Sequence, residues 1–150
     1  MTKKKILIFT IFFSVNVIVS AQENHVKWIV SEIQTEQDSN VIIINAKIAE
    51  NWYIYGMNIE EGGPLPLIIE LFDEKDEIIS GKVYEISKSH VKYDEVFKMK
   101  VETFDTEAMF KYVFRLPEGM KKMKLVIDGQ ACNTKDGACL PIYENIEIIL

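Results

Sequence analysis

From residue 26 onward the chain alternates apolar and polar side chains in short stretches. Val26, Trp28 and Val30 alternate with Lys27, Ile29 and Ser31, and Phe110, Tyr112 and Phe114 alternate with Lys111, Val113 and Arg115. A period of two, rich in β-branched and aromatic residues, is the pattern of a half-buried strand, whereas the i, i+3, i+4 pattern of a helix is weak throughout. Val41 to Ile48 is nearly continuous and β-branched, as expected of a strand buried on both faces or twisted into a core. Trp52-Tyr53-Ile54-Tyr55 follows, and Leu67 to Phe72, Ile78 to Ile86, Val91 to Phe104, Ala108 to Leu116, Met123 to Ile127 and Ile142 to Leu150 complete the set. Between them fall turn-forming or charged breaks such as Gly62-Gly63-Pro64, Asp73-Glu74-Lys75-Asp76 and Pro117-Glu118-Gly119. About eight or nine strands at roughly 8–14-residue spacing predict an all-β domain, an immunoglobulin-like β-sandwich, with a small closed barrel as the main competitor.

The first 21 residues read differently. Lys3, Lys4 and Lys5 precede an apolar run from Ile6 to Val19 broken only by Thr10, Ser14 and Asn16, and Val19-Ser20-Ala21 supplies a cleavage site before Gln22. A fourteen-residue helix spans roughly 21 Å, short of the ~30 Å hydrocarbon core, which argues against a membrane anchor. No Cys follows the run, so a lipoprotein is not expected, and no later stretch approaches the ~18 apolar residues of a span. Residues 1–21 are therefore expected to be a signal peptide and residues 22–150 one exported domain. The many Lys, Ile and Asn residues point to an AT-rich Gram-negative bacterium and to its periplasm.

Composition narrows the function. The chain has 150 residues, 48% hydrophobic and 27% charged, within the globular range. Its net charge of −6 becomes −9 once the three leader lysines are removed. That sign excludes a nucleic-acid protein, which needs a basic face to displace counterions. With two His and two Cys, and no CxxC or HxxxH spacing, no metal site is expected. No phosphate loop, GxSxG elbow or hydrolytic triad motif is present.

The chemistry concentrates in Val126 to Pro141. A strand enters, six residues separate Cys132 from Cys139, and Asn133, Asp136 and Gly137 are turn formers. The cysteines should face each other across a hairpin, at Cα separations of roughly 4.5–5.5 Å that suit a disulfide. Export lets such a bond persist. Spacing alone favours a structural staple, since C-x6-C is not a redox motif. Yet closing so small a loop stabilises by only about 2 kcal/mol, and a core of this size hardly needs it. Lys135 is the one cation near the pair, Asp128 and Asp136 are acidic, and no helix N-terminus is at hand to depress a thiol pKa. A redox role would therefore depend on a docked partner.

The run Asp128-Gly129-Gln130-Ala131-Cys132 through Cys139-Leu140-Pro141 resembles the periplasmic N-terminal domain of DsbD, the transmembrane thiol:disulfide interchange protein. Asn51-Trp52-Tyr53-Ile54-Tyr55 with Gly63-Pro64-Leu65-Pro66 resembles that family's early aromatic strand and Gly-Pro turn, and His90 to Phe97 resembles its cap loop. The three matches fall in the family's order and cover most of the exported chain. The resemblance implies an immunoglobulin-like fold and a redox-active pair, possessed of no cofactor because the two sulfurs carry the electrons. Cys139 would attack a substrate disulfide and Cys132 would resolve the product. Phe97, or Val96 in its place, would cover the sulfurs, with Tyr53 and Tyr55 beside them and Asp94 and Glu95 bordering the site. Partners would be thioredoxin-like or disulfide-isomerase-like proteins. Because the sequence stops at Leu150, without the membrane carrier and thioredoxin-like domain of the full-length protein, the electron donor would be a separate membrane protein. The cysteine gap is slightly longer than the family's, which keeps a second reading in play: a secreted immunoglobulin-like binding or scaffold module with a structural disulfide.

Elsewhere the plain readings suffice. Trp28 and Trp52 are expected in the core, His90 in a solvated loop, and the acidic run from Asp73 to Glu77 in a soluble turn. Tyr53 and Tyr55, two apart, share a strand face.

Overall fold

The computed structural model describes residues 24–150; the expected signal peptide lies outside the described residues. Eleven strands form in chain order: β1 (Val26–Val30), β2 (Gln34–Glu36), β3 (Ser39–Ile48), β4 (Trp52–Tyr55), β5 (Ile68–Phe72), β6 (Gly81–Glu85), β7 (His90–Asp94), β8 (Met99–Asp105), β9 (Glu107–Phe114), β10 (Lys122–Asn133) and β11 (Cys139–Ile149). All pairings are antiparallel. One sheet runs β1-β3-β9-β6 with β2 on β3; the other runs β11-β10-β4-β8-β7, with β5 on the first half of β10. The two sheets make an immunoglobulin-like sandwich.

The alternation explains the core. Ile42, Ile44 and Ala46 of β3, Phe110 and Phe114 of β9, and Leu125 and Ile127 of β10 all turn inward and are fully buried or nearly so. Phe104 of β8 meets Phe110 edge-on at 5.7 Å, which joins the sheets at their centre. Trp28 and Trp52 are half-buried and pack on this core, Trp52 also stacking on His25 at 3.8 Å.

The pattern reading differs from the fold in three places. Val91 to Phe104, read as one apolar run, is two strands joined by a turn at residues 95–98. Lys98 takes a positive φ of 55° there, and the chain reverses without a Gly or Pro to mark it. β2 is Gln-Thr-Glu, exposed on every residue, so no hydrophobic signal announces it. Finally, β10 is longer than its apolar stretch. Lys124–Asp128 pair with β5, and Ala131–Asn133 pair with β4. Gly129 lies at that change of partner, where a Cβ would sit 3.3 Å from Leu67 Cδ1.

Candidate functional site

Cys132 ends β10 and Cys139 begins β11, directly opposite each other in register. They are bonded, with S–S 2.05 Å and Cα–Cα 4.0 Å. The hairpin tip is built by its own polar residues. Asn133 N donates to Ala138 O at 2.8 Å, Asn133 Oδ1 accepts from Lys135 N at 2.8 Å, and Asp136 Oδ1 accepts from Ala138 N at 2.9 Å. Gly137 takes φ +74°, a left-handed position that costs glycine little. Thr134 N donates to Asn51 O at 2.8 Å, tying the tip to the turn before β4.

The two sulfurs differ in surroundings. On the outer face of the sheet the pairing sets Cys132 beside Tyr53 of β4, and Tyr53 opposite Asp105 of β8. Cys132 has no exposed surface (0%) and clusters with Tyr55 and Val101, flanked by Tyr53, Ile59 and Met99. Cys139, on the edge strand, is exposed.

Tyr53 and Tyr55 do share a face. Their hydroxyls lie 3.4 Å apart and their rings meet edge-on at 5.4 Å. Tyr55 OH donates to Asp94 Oδ2 at 2.9 Å, while Asp94 Oδ1 accepts from Val96 N at 2.9 Å and Phe97 N at 3.2 Å. One carboxylate at the end of β7 thus holds both the β7–β8 turn and a tyrosine of β4. Burial pushes the Asp94 carboxyl up, but the Phe97 amide, the Tyr55 hydroxyl, the Val96 amide and the Lys92 charge together hold it below the ordinary carboxylate value. Burial, then Tyr53, then Asp94 push the Tyr55 phenol well up, so it remains a donor at all physiological pH.

The β7–β8 turn faces the disulfide across a groove of about 490 Å³, lined by Tyr53, Tyr55, Asp94, Glu95, Val96, Phe97 and Cys139 among others. Every residue named from the sequence as site or cap, except the sealed Cys132, borders this groove. Phe97 is half-buried, Glu95 is exposed, and Val96 stands 82% exposed at the crest of the turn.

The profile of the family described as "Thiol:disulfide interchange protein DsbD, N-terminal" matches residues 22–149. The chain belongs to that family. Solved structures agree on the fold. The N-terminal domain of Neisseria meningitidis DsbD in its reduced form is 19% identical, with a TM-score of 0.57 over 83% of each chain. The N-terminal periplasmic domain of ScsB from Proteus mirabilis is 12% identical, with a TM-score of 0.62 over 85% of this chain and 47% of that one. The complex between the DsbD and PilB N-terminal domains of Neisseria meningitidis matches at 16% identity and TM-score 0.54, over 81% of each chain. Comparison with curated proteins found no match.

Within this DsbD N-terminal fold, Lys92, Tyr93 and Gln130 line the groove without having been named as site residues from the sequence. Lys92 Nζ sits 3.2 Å from the centroid of the Tyr53 ring, and Gln130 lines the groove beside Cys139. Lys92 is two residues before Asp94, and Gln130 two before Cys132, so period two along β7 and β10 was the available signal. Among the described residues no group of three or more His, Cys, Asp or Glu side chains is placed to hold a metal ion, and no helix is long and apolar enough to cross a membrane.

Proposed function

We propose that this chain exchanges thiols and disulfides with partner proteins in the periplasm, relaying electrons through Cys132 and Cys139. The observation that carries the reading is the asymmetry of the pair: Cys132 is sealed under tyrosines and Cys139 is open at a strand edge. A staple has no need of one open sulfur. An exchanging pair does, because attack requires access to one sulfur and a nearby second thiol to resolve the product.

In the donating direction the Cys139 thiolate attacks one sulfur of a partner disulfide, and the partner's other sulfur leaves as a thiolate and takes up a proton. Cys132 then gives up its proton and attacks Cys139 Sγ, releasing the partner's second thiol. The partner disulfide has gained two electrons and two protons, and Cys132–Cys139 is oxidised. The same steps in reverse recharge the domain from a donor. Phe97 and Val96 act as the cap over the sulfurs, Tyr53 and Tyr55 as its floor, and Asp94 and Glu95 as its border. What supports this is the single groove they share with Cys139.

The partners on this reading are thioredoxin-like or disulfide-isomerase-like proteins, with a separate membrane protein as donor. Support comes from the Neisseria meningitidis complex, in which a DsbD N-terminal domain is held against another protein's domain. Cleavage after Ala21 and a single domain over residues 22–150 are supported by a family match that begins at residue 22, and the periplasm by the periplasmic ScsB domain of like fold.

Cys132→Ser should trap mixed disulfides on Cys139 in periplasmic extracts, and Cys139→Ser should trap none. Equilibration in thiol buffers should place the pair between roughly −180 and −270 mV, among the exchange proteins. A potential below about −300 mV with no trapped partner would leave a scaffold domain with a structural disulfide.

A further inference from the structure

Lys135 is the cation near the cysteines in sequence, and the fold brings a second one from β7. Lys92 Nζ lies 3.2 Å from the centroid of the Tyr53 ring, Tyr53 stands opposite Cys132 in register, and Cys132 stands opposite Cys139. Tyr53 is thus two strands from Cys139, and strand spacings of about 4.7–4.9 Å put the ammonium on the order of 10 Å from that sulfur. Among the described residues Lys92 makes no ion pair, and it is the one cation lining the groove with Cys139. A half-buried ammonium on an aromatic face, with no carboxylate bound to it, leaves its charge free to act on other groups in the groove.

Other groups around the groove are committed elsewhere or bear no positive charge. Tyr55 OH donates to Asp94 Oδ2 at 2.9 Å, so the Tyr53 hydroxyl, 3.4 Å away, is the donor in the tyrosine pair. Both phenolic protons therefore belong to the chain that ends on Asp94. The Val96 and Phe97 amides serve the same carboxylate, and Gly137 N donates to Asn133 O. Tyr93 and Gln130 are neutral. The remaining charges oppose a negative sulfur or offset one another. Asp94 and Glu95 are anionic, Asp105 of β8 faces His90 at 3.5 Å, and Lys135 and Asp136 are opposite neighbours at the exposed hairpin tip. Asp128 lies four residues along β10 from Cys132, about 13 Å away. Lys92 and Glu95 also differ in footing. Lys92 is within β7, paired with Val101 of β8, whereas Glu95 belongs to the turn at residues 95–98. Displacing the turn carries Glu95 away and leaves Lys92 in place.

We propose that Lys92 is a positioning residue for the exchange step: Tyr53 holds its ammonium at the groove, where the charge stabilises the thiolate of Cys139. This deepens the exchange reading and rests on it. Cys139 must lose its proton, which its exposed sulfur gives to solvent, before it attacks one sulfur of a partner disulfide. It leaves as a thiolate when the domain is recharged. A cation favours the charged form in both directions. At roughly 10 Å, with an effective dielectric constant between those of protein and water, the stabilisation amounts to about half a pKa unit. The effect grows when a docked partner expels water and moves Glu95 aside, which ties the nucleophile to the docked state.

The test uses the Cys132→Ser variant, in which Cys139 is the single thiol. Its alkylation by iodoacetamide, a neutral reagent, is followed by mass spectrometry from about pH 6 to 10. The midpoint of the rate reports the thiol pKa, and the plateau reports access. Adding Lys92→Gln should raise the midpoint by about half a unit in low salt, and by less in about 1 M sodium chloride, which screens a charge at this distance. Lys92→Arg, charged at every pH used, should leave the midpoint where Lys92 sets it. With both cysteines present and reduced, Lys92→Gln should slow attack on hydroxyethyl disulfide at neutral pH by about twofold. The thiolate fraction falls roughly threefold while each thiolate becomes a better nucleophile. An unchanged midpoint would overturn the proposal, and a raised plateau beside it would make Lys92 only a clasp on Tyr53. A shift that Lys92→Arg shares, or that salt does not diminish, would overturn it as well. Failure of the exchange reading is separately visible: a shifted midpoint with no partner trapped by Cys132→Ser would remove exchange, and with it any role for the shift.

Discussion

Two hairpins meet at the disulfide, and they are secured by different means. The β10–β11 hairpin has strands of 12 and 11 residues. Its inner face is core, from Met123 to Ala131, and its tip is fixed by its own turn bonds and by Asn51. The β7–β8 hairpin has strands of 5 and 7 residues, and β7 is the far edge of the same sheet. Val91 and Tyr93 are exposed on β7, and the tip depends on one carboxylate, two backbone amides and one tyrosine hydroxyl. The first hairpin is anchored by buried area and carries the disulfide; the second is anchored by a few polar contacts and overlooks it. A segment held by few contacts is the one able to open at low cost. On the proposed reading, this division would let the β7–β8 turn move as a cap while the cysteines keep their register.

The largest effect that sharpens the contrast lies under the cysteine hairpin. Leu125 is fully buried on the inner face of β10, and Leu125→Ala should cost about 2–5 kcal/mol in urea unfolding. Below its melting transition this variant should be reduced by dithiothreitol at the wild-type rate, since the core does not govern access to Cys139. Faster reduction of the folded variant would mean that the hairpin opens with the cap, and the two regions would not be separable.

Asp94→Ala probes the other hairpin. It leaves the Val96 and Phe97 amides and the Tyr55 hydroxyl without their acceptor, a loss of roughly 1–3 kcal/mol. Its larger consequence should be kinetic: dithiothreitol should reduce the disulfide several-fold faster, with the mass of alkylated protein as readout. Phe97→Ala should do the same with a smaller loss of stability. Unchanged rates in both would show that the turn over the groove does not limit access.

Lys92→Ala is gentler. Removing the ammonium from the Tyr53 face should cost about 0.5–1 kcal/mol. Because Lys92 also helps to keep Asp94 charged, the variant should shift the Asp94 titration upward. A loss of stability with no such shift would separate the ring contact from the charge effect.

How much of this was legible depends on the range of the interaction. The strand faces followed from local alternation: Phe110, Tyr112 and Phe114 read as an inward row and are one. The cysteine hairpin was equally local, since Asn133, Asp136 and Gly137 lie between the sulfurs they position. The turn at residues 95–98 was not evident from pattern, because Val96 and Phe97 continue an apolar run and the reversal is held by Asp94 with a tyrosine 39 residues away. Exposure of one sulfur and burial of its neighbour was beyond any local reading. It arises because β4 and β8 arrive on the Cys132 side and nothing among the described residues pairs with the other side of β11. Resemblance to a family drew attention to residues 90–97, which line the groove beside Cys139, where periodicity could not.

The smallest effect is a pH dependence, and its sign is fixed by Asp94. Its folded pKa lies below that of the unfolded chain, so the stability it contributes is present in full above the unfolded value, near 3.9, and disappears as pH falls through the folded one. The cap should therefore stay closed across neutral and mildly acidic pH and loosen only below the ordinary carboxylate range. The Val96 and Phe97 amide resonances, whose protons rest on Asp94 Oδ1, should titrate together with a midpoint below that of a free aspartate. Asp94→Asn should abolish the titration and leave reduction by a phosphine reductant independent of pH over the same interval. A midpoint at or above the ordinary value would mean that burial outweighs the amides, the tyrosine and Lys92. Protonation of Asp94 would then not loosen the turn, and its hairpin would have to open by docking alone.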